Sequence, residues 1–200
     1  LSSATQAKQL EQLTGEKFSY KMLNDPETIK QFNTDATGVF QFETRGSLEL
    51  IKLIGIDSFE DIVASVALNR PGPLTLGMHE QYASNKKEVP TDTPWYKYTK
   101  KSFGTLIYQE QAMAIAREIG GYDPSDADKI AKYDANHIPE EEAIRYRKMF
   151  VTNAVKNGLE KDQANELFDS MLGYSFNRGH AVAYSMLSAE LCYFKAHYPD

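Results

Sequence analysis

Apolar side chains recur at three- and four-residue intervals along most of the chain, the spacing of one helical face, and strict alternation is confined to short stretches. "DSFEDIVASVALNR" opens on a Ser58-x-x-Asp61 capping box, carries Ile62, Val63, Val66 and Ala67 as its apolar stripe, and stops before Pro71. "QEQAMAIAREIGG" places Ala112, Ile115, Ala116 and Ile119 on one face and ends at Gly120 or Gly121, residues suited to a left-handed cap. In "DPSD", Asp123 is the N-cap and Pro124 the first helical residue of the next element. "PEEEAIRYRKMFVTNAVKNG" puts three glutamates in its first turn and Lys156 in its last, matching the helix dipole, with Ala143, Tyr146, Phe150 and Ala154 as buried stripe. "EKDQANELFDSMLG" repeats the device with Ala164, Leu167, Phe168, Met171 and Leu172. A last helix starts at about residue 180, with Tyr184, Leu187, Leu191, Phe194 and Tyr198 as its stripe.

Strand candidates are limited to "GVFQFET" and "GTLIYQ", while "NRPGPLTLGM" and "VPTDTPWYKYTKKSFG" read as structured Pro/Gly loops. The pattern predicts a mainly α protein: a multi-helix domain with a few short strands.

Composition narrows the class. Of 200 residues, 42% are hydrophobic and 25% charged, which suits an ordinary globular chain with a real core. A net charge of -6 argues against a free-standing nucleic-acid binder unless a local basic patch exists. The single cysteine, Cys192, cannot form an internal disulfide and lies in an apolar helix, where a buried inert thiol is the ordinary outcome. With no targeting pattern and no 18-residue apolar run, the expectation is a cytoplasmic protein without a membrane partner. Leu1 reads as a mid-chain residue.

Candidate chemistry concentrates in "GYSFNRGH" at residues 173–180. Asn177, Arg178 and Gly179 directly precede a helix whose first N–H groups lack intrahelical partners, and Arg178 and His180 add side-chain donors, so phosphate is the natural ligand. The plainer alternative, a turn and cap, stays open. A second cluster, "DADKIAKYDANH", sets Lys129 and Lys132 on one helical face, with Asn136 and His137 beyond them; Asp126, Asp128 and Asp134 among the lysines favour a solvated face. No phosphate-binding loop, dinucleotide fingerprint, zinc spacing or nucleophile triad is present. Asp57, Glu60, Asp61 and Glu140 to Glu142 fall at helix starts, where capping accounts for them, so no catalytic or metal-binding residue is assigned.

Four segments, "TGVFQFETRG", "FEDIVASVALNRPGPLTLGM", "FGTLIYQEQAMAIAREIGGYDPSDAD" and "GYSFNRGHAVAYSMLSAELCYFKAHYP", resemble in order the signatures of the bacterial C-family replicative DNA polymerases, the DNA polymerase III alpha subunits. The resemblance implies that residues 37–200 are a fingers domain and 1–36 a helical connection from a palm domain outside this chain. It implies binding of the incoming dNTP and template-primer DNA during DNA replication by a nucleotidyltransferase. Partners would be the palm and other polymerase domains, with a sliding clamp and replisome proteins through the parent. Mg²⁺ would be held by palm aspartates, so the fragment alone would be inactive.

Asn177 and His180 match the family motif, while Arg178 stands for its usual Lys and Gly179 for its usual Ser. Arg70, before "PGP", sits in a second motif on the nucleotide side. Where the family has two arginines and then Gly-Lys-Lys, this chain has Ala131, Lys132, Ala135, Asn136 and His137. Only Lys132 carries over as a triphosphate contact, and Lys129 could compensate from one turn earlier. Such erosion would suit a divergent member carried by a phage or mobile element. It also motivates a rival reading, a noncatalytic helical interaction module derived from the polymerase fold.

Overall fold

The computed structural model describes residues 2–132, 139–172 and 176–199. Among these it forms twelve α-helices: α1 Ser3–Thr14, α2 Pro26–Thr34, α3 Arg45–Ile54, α4 Phe59–Leu68, α5 Pro71–Thr75, α6 Met78–Lys87, α7 Tyr96–Thr99, α8 Gln109–Glu118, α9 Pro124–Ala131, α10 Glu140–Lys156, α11 Lys161–Met171 and α12 Arg178–His197. The mainly α class is met. The strand candidates are not strands: residues 37–41 form successive turns, with Gln41 at φ 70, and residues 105–108 are extended but carry only an isolated parallel bridge from Tyr108 to Phe176. Both proline-rich stretches contain short helices instead of loops alone. Pro71 occupies the first turn of α5, where a fixed φ and a missing N–H cost nothing.

The chain divides into two compact units, Leu1–Ala83 with Gly179–Asp200, and Ser84–Arg178. In the first unit α4 is buried from Asp61 to Leu68. Its capping box forms as predicted and goes further. Asp61 Oδ2 accepts from the N–H groups of Asp57 at 2.9 Å and Ser58 at 3.1 Å, and Oδ1 accepts from the buried Tyr82 hydroxyl at 2.9 Å. Asn33 of α2 exchanges two hydrogen bonds with the backbone of Ile56, at 2.7 and 2.9 Å, which pins α2 to the end of α3. Phe32 and Phe42 meet edge to face beside these contacts.

Helix α12 meets the predicted stripe at Leu191 and Phe194 and departs from it elsewhere. Its buried positions are Ala181, Ser185, Ser188, Ala189, Leu191, Cys192, Tyr193 and Phe194, whereas Tyr184 and Leu187 are half-buried and Tyr198 is 42% exposed. Small residues bring the backbone close to its neighbours: Ser188 Oγ donates to Phe40 O at 2.8 Å, and Cys192 Sγ lies 3.7 Å from Thr28 O. A pattern scored by hydrophobicity passes over two buried serines, and so rotates the helix toward its large apolar residues. Among the described residues no helix is long and apolar enough to cross a membrane.

The second unit packs α8, α9, α10 and α11 around a core that includes Ile115, Ile130, Tyr146, Phe150, Leu167 and Phe168. The stripes predicted for α8 and α11 are buried, and so are Tyr146, Phe150 and Ala154 of α10; Ala143 and Leu172 are only partly covered. Gly120 is required here by space, since a Cβ would stand 2.5 Å from the Phe150 ring. Asn153 of α10 and Asn157, which caps its C-terminus, donate to the carbonyls of Gly120 and Ile119, satisfying the end of α8 with side chains.

Two outcomes follow in the first unit. Burial pushes the Cys192 thiol up to about 12, so iodoacetamide at pH 8 should leave the native protein unlabelled and alkylate it fully in denaturant; native labelling at a free-thiol rate would contradict the burial. Lys195 donates to Asp35 Oδ2 at 2.7 Å, and with Thr37 holds that carboxyl down to about 2. The unfolded value is about 3.9, so this contribution is complete above it and disappears as pH falls toward the folded value. Asp35→Asn should therefore flatten the loss of stability between about pH 4 and 2, measured by urea unfolding. The effect should be small, because the two side chains are 53% and 31% exposed.

Candidate functional site

The surroundings of Arg178 begin with a tight turn. Phe103 and Gly104 both have positive φ, 50° and 82°, and reverse the chain into the extended residues 105–108. Among the described residues that segment has no sheet to satisfy its buried backbone. Gln111, on the first turn of α8, supplies the missing partner: its Oε1 accepts from the N–H groups of Ile107 and Tyr108, each at 3.0 Å, while Nε2 donates to Ser102 Oγ at 2.7 Å. Ser102 Oγ in turn donates to Thr105 O at 2.6 Å. All five residues are buried, where an unmade hydrogen bond is costly.

This platform grips Phe176. Phe176 N donates to Ile107 O at 2.9 Å and Gln109 N donates to Phe176 O at 3.0 Å. The next two residues meet Glu110. Its carboxylate accepts from Arg178 N at 3.1 and 3.2 Å and from Asn177 Nδ2 at 3.3 Å. Glu110 thus lies in the first turn of α8 and at the start of α12, two helix N-termini whose partial positive charge favours a carboxylate. The Arg178 guanidinium lies over the Tyr108 ring, 5.7 Å from its centroid.

Helix α12 begins at Arg178, two residues earlier than the pattern indicated, so Gly179 and His180 belong to its first turn. The first N–H proposed for a phosphate is engaged by an internal carboxylate. Sequence reasoning missed Glu110 in this role. The only local signal was an acidic residue in a first helical turn, and that does not reveal a partner 68 positions away.

The other candidates are distributed. Within the second unit, Asn177 and Arg178 are joined through Glu110. Lys129 pairs instead with Asp126 at 3.5 Å and Lys132 with Asp128 at 2.8 Å, both lysines more than half exposed. Asn136 and His137 lie outside the described residues. In the first unit, His180 is exposed and its ring centroid lies 4.1 Å from that of Tyr184, one turn on. Arg70 is half-buried and extended, and its carbonyl accepts from Leu74 N at 3.1 Å at the start of α5. Among the described residues, no group of three or more His, Cys, Asp or Glu could hold a metal ion.

Residues 4–158 match the family model of the bacterial DNA polymerase III alpha subunit finger domain. The chain is 38% identical over 196 residues to a DNA polymerase III subunit alpha of Escherichia coli (strain K12), an alignment covering 92% of this chain and 16% of that protein. It is 36% identical over 190 residues to that of Pasteurella multocida (strain Pm70), covering 88% of this chain and 16% of the relative. It is 34% identical over 213 residues to that of Aquifex aeolicus (strain VF5), covering all of this chain and 18% of the relative. The chain therefore spans less than a fifth of the length of these relatives.

Gln111→Ala tests the platform. It strands two buried N–H donors, and each such loss costs about 1 to 3 kcal/mol. Urea unfolding should show a destabilisation of about 2 kcal/mol or more. Gln111→Glu keeps an acceptor oxygen but buries a carboxylate, so it should destabilise at pH 7 and recover relative to Gln111→Ala at acid pH, where the protonated side chain has both an acceptor and a donor. A cost below about 1 kcal/mol for Gln111→Ala would mean that the paired N–H groups are not what holds the segment.

Proposed function

Because the chain belongs to the family of bacterial DNA polymerase III alpha subunit finger domains, we propose that it serves as the fingers segment of a replicative DNA-directed DNA polymerase. In this reading residues 37–200 are the fingers and 1–36 the connection from the palm. The segment binds the triphosphate of the incoming dNTP and the template-primer. The family match over residues 4–158 carries the proposal.

Arg178 supplies a planar, permanently charged fork to a phosphate, and His180 a second donor from the same helical turn. Engagement of the Arg178 N–H by Glu110 leaves phosphate contact to these side chains. Asn177, held through its amide by the same carboxylate, fixes the approach to the helix. Arg70 contributes charge from the rigid Pro71–Pro73 turn, and Lys129 and Lys132 contribute once their exposed ion pairs open.

The residues described here do not fit a pair of Mg²⁺ ions, since no cluster of three ligating side chains exists among them. The metals of such a polymerase would belong to palm carboxylates outside this chain, and when bound they would supply nucleophile activation and leaving-group stabilisation. Clamp and replisome proteins would be reached through the parent polymerase in the cytoplasm.

A second reading, a helical interaction module that does no catalysis, is favoured by one observation. Both lysines of the eroded cluster are matched to carboxylates of their own helix.

One measurement tests the placement of catalysis outside this chain, and a second separates the two readings. The chain alone, given primer-template, Mg²⁺ and four dNTPs, should extend no primer; template-dependent extension would place catalysis inside it. In the complete polymerase, Arg178→Ala removes a charge-assisted contact of about 1.5 to 3 kcal/mol, and should weaken dNTP or template-primer binding about tenfold or more at a nearly unchanged Tm. Binding equal to that of the parent would favour the interaction module.

A further inference from the structure

We propose that Glu110 is a positioning residue for Arg178, one that acts on phosphate binding only through the chain segment it holds. The inference rests on the reading that Arg178 contacts phosphate. It starts from a contrast between two kinds of carboxylate contact. Asp126 and Asp128 meet the ammonium groups of Lys129 and Lys132, and so oppose the charge of those side chains directly. Glu110 meets the main chain of Arg178, where both its oxygens accept from the N–H, and Oε1 also accepts from the Asn177 side-chain amide Nδ2.

A carboxylate used in this way holds the backbone of Arg178, and therefore the point from which the Arg178 side chain departs. Glu110 itself is well anchored for that purpose. It follows Tyr108 and Gln109, which the Gln111 amide and the bridge to Phe176 hold in place. The ring beneath the Arg178 guanidinium, Tyr108, belongs to the same anchored stretch. One short segment, residues 107–111, thus fixes the backbone of Arg178 from one end and supports its side chain from the other. A cap serving only the helix would need Glu110 alone, and would not need Arg178 stacked on the segment that carries it.

The proposal excludes two other roles for Glu110. If it were a competitor of phosphate, removing it would tighten binding. If it were only a cap, removing it would lower stability and would affect binding equally with and without Arg178.

The test uses the complete polymerase carrying this chain, as parent, Glu110→Ala, Glu110→Gln, Arg178→Ala and the Glu110→Ala/Arg178→Ala double variant. Anisotropy of a fluorescein-labelled primer-template reads the DNA arm, and saturation of the preformed complex with the complementary dNTP reads the triphosphate arm. Thermal melting is followed in parallel, and binding is measured well below every Tm. Glu110→Ala should weaken one arm by about threefold or more. Glu110→Gln, which keeps one acceptor oxygen, should recover part of that loss. In the Arg178→Ala background Glu110→Ala should add nothing, the coupling expected of two residues that act as one unit. If Arg178→Ala weakens binding and Glu110→Ala does not, the positioning role is wrong while the phosphate reading stands. Additive effects, or tighter binding by Glu110→Ala, also overturn it. If Arg178→Ala itself binds both ligands like the parent, the phosphate reading fails and the positioning role falls with it.

Discussion

The buried amide of Gln111 is the interaction on which the arrangement around Arg178 depends. An extended segment outside any sheet carries N–H groups that neither a ladder nor water satisfies, and such groups are rarely left unpaired in a folded interior. One glutamine side chain takes two of them and passes a proton donor on to Ser102, so the turn at Phe103 and Gly104, the start of α8 and the bridge to Phe176 are fixed together. Replacing the amide by any apolar group would preserve volume and lose all three bonds. The positions of Glu110 and Tyr108 follow from it, and those of Asn177 and Arg178 follow from theirs.

A different constraint governs α12 beyond its first residue. Its buried face joins Leu191, Tyr193 and Phe194 to alanine, serine and cysteine at 181, 185, 188, 189 and 192, where a pattern reading selects Tyr184 and Leu187. Small side chains let a helix axis come close to its neighbours, and the hydroxyl of Ser188 then reaches the backbone carbonyl of Phe40. The larger residues Tyr184 and Leu187 remain half covered. Close approach through small residues gives less apolar burial per position, and directed contacts at the far end of the helix compensate. Lys195 bonds Asp35 and Thr37, Tyr193 and Tyr198 both donate to Glu16, and His197 pairs with Asp25.

The sequence made legible whatever is local and apolar. Helices α4, α8 and α11 bury the residues their periodicity selects, because a three- and four-residue repeat of large or β-branched side chains has one good solution. Proline misled where it helps a helix start: Pro71 was read as loop chemistry, though it stands at the first helical position. "GVFQFET" alternates like a strand, but the bonds from Val39 N to Ala36 O and from Phe42 N to Val39 O close it into turns. The resemblance identified the family, which the match to the finger-domain model bears out. The contacts that organise the candidate site are beyond any local rule. Glu110 to Arg178 and Ile107 to Phe176 link residues almost seventy positions apart, and neither leaves a mark on composition or periodicity.

A chain of net charge -6 can present a phosphate with useful positive charge only through particular geometry. The second unit contains both available solutions. On α9 each lysine lies against an aspartate, and exposed pairs of this kind hold their partners by no more than about 1 kcal/mol, so a polyanion can compete for them at low salt and loses the contest as salt rises. Near Arg178, the Glu110 carboxylate accepts from the backbone N–H, at a helix N-terminus where negative charge is favoured. The two arrangements should therefore differ in kind. On the proposed reading the lysines would act as a screened, exchangeable reserve of charge, and Arg178 as a contact whose backbone is held by Glu110.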